Sequence, residues 1–189
     1  MDANQQETVE RLIRQIESAF SNVMFDNPPE GLIPVLRQLK NKHWRDIPLD
    51  VLNMKDFVYH LPMNKNVDYF LPAYMVAILK YQKSYAYSND PEGLPIIMLG
   101  LLSGRRPRFT DKTPYAVINK KQSFTVLEFL EAYPNLFPDL FVIKTFPDEV
   151  KKELTEVHRS MGLSITEHLT YYELWEKAMA FWKSKSAAG

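Results

Sequence analysis

Apolar positions along the chain recur mostly with helical spacing, and few stretches alternate as a half-buried strand would. The run Asp68-Tyr69-Phe70-Leu71-Pro72-Ala73-Tyr74-Met75-Val76-Ala77-Ile78-Leu79-Lys80-Tyr81 leaves almost no polar face on a 3.6-residue period, which marks a helix buried all round. Pro72 has no N–H, and its ring clashes with the carbonyl four residues back, yet proline is well tolerated in a first turn. The pattern therefore predicts a short turn over 66–70 leading into a central helix over 72–85.

Further helices arrange themselves around that one. In residues 8–23, Val9, Leu12, Ile13, Ile16, Ala19, Phe20 and Val23 give the i, i+3, i+4, i+7 stripe of an amphipathic helix, with Glu10 and Arg14 at the favourable i, i+4 spacing. Asp26-Asn27-Pro28-Pro29-Glu30-Gly31 breaks the chain, and a shorter helix follows over 32–39. Residues 43–61 read as short turns, one capped by Asp46 near Pro48 and one capped by Asn53, with Trp44 folding them onto the central helix. The run from Leu94 through Leu102 reads as a short buried helix, a buried strand being the alternative at this length.

In the second half, a helix over 123–133 has Thr125 and Glu128 in capping-box spacing and is ended by Pro134. Phe141, Val142 and Ile143 are the place for a minor extended element. Thr145-Phe146-Pro147-Asp148 opens a helix with inward positions Val150, Leu154, Val157 and Met161, stopped by Gly162. Thr170 and Glu173 form a second capping box before a last helix whose apolar side is Leu174, Trp175, Ala178, Met179, Phe181 and Trp182; residues 183–189 are expected to be a mobile tail. The sum is an all-α fold, a single domain over 1–189 built as a multi-helix bundle around a buried central helix, with 103–122 an irregular basic loop.

Composition narrows this further. A chain of 189 residues, 46% hydrophobic and 24% charged, suits one globular domain. The 23 Lys plus Arg balance the 23 Asp plus Glu, which argues against a general polyanion binder. With no cysteine, disulfides, thiol nucleophiles and Cys-containing zinc sites are excluded, and a reducing compartment fits. The first residues show neither a basic start nor an apolar core of a signal peptide, and the central run is cut too short by Asp68, Lys80 and Lys83 to span a bilayer. A cytoplasmic protein without a membrane partner is the expectation.

Ser18-Ala19-Phe20 at a helix end, then Trp44-Arg45-Asp46-Ile47-Pro48, then Tyr69-Phe70-Leu71-Pro72-Ala73-Tyr74, and finally Leu169-Thr170 with Ala178 to Phe181 together resemble an uncharacterised bacterial family of small helical domains of unknown function. The resemblance spans residues 9–85 and 169–182. Phe70 stands where that family carries a second tyrosine, and 103–164 is longer than the family pattern. It implies an α-helical bacterial protein and supplies no catalytic residues.

The search for chemistry returns mostly exclusions. His43, His60, His158 and His168 lack the His-Glu-x-x-His spacing of a helical zinc site. Gly100-Leu101-Leu102-Ser103-Gly104 has its glycines in the wrong places for a nucleophile elbow, and there is no glycine-rich phosphate loop. Asp148, Glu149, Glu153 and Glu156 interleave with Lys151 and Lys152 on what reads as a solvated face. No catalytic residue, metal site or cofactor is expected.

Two binding candidates remain. Arg105, Arg106, Arg108, Phe109 and Lys112 form a local basic excess, continued by Lys120 and Lys121 and opposed only by Asp111; arginine forks suit phosphates and carboxylates, and Phe109 could stack on a base. Tyr74, Tyr81 and Tyr85 share one side of the central helix, where they would line the core edge with their hydroxyls in water or form an interface. The leading expectation is a non-enzymatic bacterial protein-binding protein of the adaptor or immunity type. The alternative is binding of an anionic ligand or nucleic acid through the basic loop 105–121.

Overall fold

The computed structural model describes residues 3–25, 39–48, 52, 63–80, 98, 99, 102, 114–160 and 168–187, with backbone alone for 63–67 and 114. Five α-helices are present among them: α1 (Ala3–Ala19), α2 (Met63–Lys80), α3 (Lys120–Leu136), α4 (Asp148–Ser160) and α5 (Tyr171–Ala187). Short 3-10 turns lie at Trp44–Asp46, Pro114–Val117 and Pro138–Phe141. The described residues contain no strand, only one antiparallel bridge between Met24 and His43, and the fold is all-α.

The central helix is as buried as its sequence demands, since every residue of 69–79 is buried. Its position along the chain differs from the expectation: α2 begins at Met63, and Pro72 lies in its interior. Packing outweighs the local cost of proline here. Tyr69 and Phe70 pack edge to face at 4.9 Å, and Phe25 stacks on both rings at 4.9 and 5.6 Å, which places large aromatic area in the core ahead of the proline. Met98, Leu99 and Leu102 are helical and buried, so the second apolar run takes its helical alternative there.

α1 buries Val9, Leu12 and Ile16, and its C-terminal end is closed by side chains from elsewhere. The last carbonyls of a helix have no partner within it. Arg45 Nη2 donates to the Glu17 carbonyl at 2.9 Å, Lys121 Nζ to that of Ser18 at 3.1 Å, and Trp44 Nε1 to that of Phe20 at 2.8 Å. His43 Nε2 lies 2.9 Å from the Ser21 carbonyl while its Nδ1 accepts the Arg45 amide at 3.2 Å, and a proton on Nε2 satisfies both bonds. Lys121 therefore belongs to the bundle: Lys120 and Lys121 form the first turn of α3 and are not part of a basic loop.

α3 packs against both α1 and α5. Its capping box is Asn119 with Gln122, upstream of the expected Thr125 and Glu128. Thr125 Oγ1 instead donates to the Lys121 carbonyl at 3.1 Å within the helix, and Glu128 faces Gln15 and Arg11 of α1. Pro134 does not end α3, which continues to Leu136. The missing Pro134 N–H would have bonded the Leu130 carbonyl, and Trp175 Nε1 of α5 donates to that same oxygen at 2.7 Å. A tertiary bond replaces the helical one.

α5 opens as expected, with the Thr170 amide donating to Glu173 Oε2 at 2.8 Å and the Glu173 amide to Thr170 Oγ1 at 3.2 Å. It docks through Ala178, Met179 and Trp182. Trp182 Nε1 donates to the Leu102 carbonyl at 3.1 Å, and its ring packs on Tyr115 at 5.1 Å. The expected tail from 183 is helix as far as Ala187, because Ser186 is buried and donates to the Trp182 carbonyl at 2.8 Å.

Candidate functional site

α4 is the element whose apolar side chains the fold leaves uncovered. Val150, Leu154, Val157 and Met161 are the inward positions its pattern predicts, but none of its residues is buried, and Val150, Leu154 and Val157 do not join the hydrophobic core; Met161 lies outside the described residues. Val157 is 42% exposed. Residues three and four apart on a helix are neighbours, so α4 carries three parallel rows one residue out of step. Val150, Leu154 and Val157 form the apolar row; Glu149, Glu153 and Glu156, all exposed, form an acidic row on one side. Lys151, Thr155 and His158 form a third row on the other side.

The third row, not the apolar one, holds α4 to the body. Lys151 Nζ lies 3.8 Å from Glu173 Oε1, and Thr155 Oγ1 lies 3.1 Å from His168 Nε2. His158 and His168 stack with ring centres 4.9 Å apart and planes within 10°. His158 Nδ1 is buried with no hydrogen-bond partner among the described residues. The seam converges on Glu173, whose carboxyl is held below the ordinary carboxylate range by the Thr170 backbone amide first, against a small opposing effect of burial, with the Thr145 and Thr170 hydroxyls and Lys151 adding to it. Thr145 thus bonds Glu173 Oε1 at 3.0 Å and does not cap α4, which starts at Asp148.

The approach to α4 exposes a second apolar feature. Phe141 ends a 3-10 turn and packs edge on against Trp175 at 5.9 Å. On the other side, the Lys144 carbonyl accepts from Thr170 Oγ1 at 2.8 Å, and Lys144 Nζ lies over the Tyr172 ring at 5.7 Å. Val142 and Ile143, the residues suggested as a minor extended element, sit between these two anchors as a bend with side chains 77% and 54% exposed. Neither strand pairing nor core contact covers them.

A cleft of about 190 Å³ opens where Arg45, Glu17 and Lys80 rim an apolar floor that includes Trp44, Val76 and Ala77. It is smaller than the roughly 300–1,000 Å³ usual for small-molecule sites. Its guanidinium is already bonded to the Glu17 carbonyl and lies 5.5 Å from the Trp44 ring centre, so it is structural in the first place.

Of the residues singled out by sequence, Arg105, Arg106, Arg108, Phe109 and Lys112 lie outside the described residues, as do Tyr81, Tyr85 and His60. Tyr74 is only 2% exposed and sits in the core. The fold joins His158 to His168, which the helical spacing rule could not foresee across ten positions. Among the described residues there is no group of three or more potential metal ligands and no helix long and apolar enough to cross a membrane. The row structure of α4 was written in the sequence at 149–158; what the sequence lacked was any sign that the row would stay uncovered. No family model, curated protein or solved structure matches the chain, which is consistent with its resemblance to a family of unknown function and adds no residue roles.

Proposed function

We propose that this chain is a non-enzymatic binding protein that docks a protein partner on α4. The observation that carries the reading is the apolar row Val150, Leu154 and Val157, which stays off the core while α4 is fixed through the neighbouring row. An apolar helix face with i, i+4, i+7 anchors is the form in which helices meet helices or grooves, and uncovered apolar surface on an ordered element marks interaction sites. A bacterial cytoplasmic adaptor or immunity-type role fits the cysteine-free sequence.

A photo-crosslinking residue placed at Leu154 or Val157, compared with one at Lys152 or Arg159 on the far side of α4, tests the proposal in producing cells. A discrete protein adduct is expected from the first pair and none from the second. Equal labelling from both sides, or none from Leu154 and Val157, would overturn it.

A further inference from the structure

We infer that the partner surface received by α4 is a basic amphipathic protein helix, one with Lys or Arg beside its own apolar stripe. The inference rests on α4 being the docking face and adds the chemistry of what docks there.

The order of the three rows carries it. The row on one side of Val150, Leu154 and Val157 is engaged with the body through Lys151, Thr155 and His158. A partner on the apolar row must therefore lean over the other side, where Glu149, Glu153 and Glu156 are exposed and form no ion pair with a described residue. Asp148 adds a further carboxylate in the first turn. Lys152 and Arg159 lie on the back of the helix, away from that side, and do not neutralise it.

Two other occupants fit less well. In an antiparallel pairing with a second copy, equivalent flanks face each other, so the acidic row would meet itself and repel. A parallel pairing would set the acidic row against the Lys151 row of the other copy, which is already engaged with Glu173 and His168. A bilayer surface is usually anionic, and helices that lie on it carry Lys and Arg beside the apolar face; α4 carries Glu there. Opposite charge flanking an apolar stripe is how paired helices select partners, and here it selects a cationic one.

The test uses the full-length chain and two fluorescent helical peptides of matched length and identical leucine stripe, one flanked by lysine and the other by glutamate, read by anisotropy. The lysine peptide is expected to bind at least about tenfold more tightly, to weaken as salt is raised, and to lose that preference in Glu149→Lys/Glu153→Lys/Glu156→Lys. Circular dichroism checks that this variant and Leu154→Asp/Val157→Asp keep the helical fold. Equal binding of both peptides, lost in Leu154→Asp/Val157→Asp, would overturn the charge selection while upholding α4 as a docking face. No binding of either peptide would overturn both readings. Capture by phosphatidylcholine–phosphatidylserine vesicles, or self-association in sedimentation abolished by Leu154→Asp/Val157→Asp, would overturn the basic helix in favour of a membrane or a second copy.

Discussion

α4 and α5 are neighbours in sequence and opposites in use. α4 separates its apolar and charged sides more sharply than any other helix described, yet buries nothing; α5 separates them poorly and anchors the fold with Trp182, which is fully buried. A helix contacted on several sides needs apolar residues on several sides, which blurs its pattern. One contacted on a single side shows a clean stripe. The clean stripe of α4 therefore reports a one-sided helix and leaves open what covers that side, and in this chain the covering surface is not the core.

The largest expected effect sharpens this contrast. Trp182→Ala should cost about 3–5 kcal/mol in urea denaturation, as removal of a fully packed aromatic does, whereas Leu154→Ala should cost less than about 1 kcal/mol, in the range of surface substitutions. Comparable losses at the two sites would erase the distinction between the helices.

Next in size is the bond across the α3–α5 seam. Trp175→Phe should cost about 1–2 kcal/mol by leaving the Leu130 carbonyl without its donor. Pro134→Ala restores a main-chain N–H for that oxygen, so adding it to Trp175→Phe should recover much of the loss. Additive effects in the double-mutant cycle would show that the indole does not act for the proline.

Smaller again is the capping box that holds the α4 seam. Thr170→Ala should cost about 1 kcal/mol. Because the carboxyl of Glu173 is lowered from its ordinary 4.5, its contribution is present in full above that value and is lost as the pH falls through the folded-state value. The melting-temperature difference between the wild type and Glu173→Gln should therefore be visible at neutral pH and vanish in acid. A difference that grows on acidification would contradict the assignment.

The smallest effect is expected at the bend before α4. Val142→Ser with Ile143→Ser should change stability by no more than about 0.5 kcal/mol, since both side chains face solvent. A clear loss in denaturant midpoint would mean that the pair is covered within the chain.

Several features of this protein were legible because they are local. The Thr170–Glu173 box, the Glu10–Arg14 pair at 3.9 Å and the exposed carboxylates of α4 follow from spacings of one helical turn. The all-round apolar run of α2 likewise required burial, whatever surrounded it. The α3 capping box was missed because Asn119 and Gln122 compete with Thr125 and Glu128 for the same role, and only the helix start chooses between them.

The sequence by itself thus determined an all-α chain with a buried central helix, and it placed the three rows of α4, because helical periodicity is set by residues within a turn or two of one another. Tertiary structure decided which stripes are covered. It kept Pro134 inside α3 through an indole 45 positions away, drew Lys121 to the end of α1 across 103 positions, and paired His158 with His168. Each of these depends on contacts between distant segments, whose partners no local pattern encodes, and the uncovered face of α4 is the remainder once those contacts have formed.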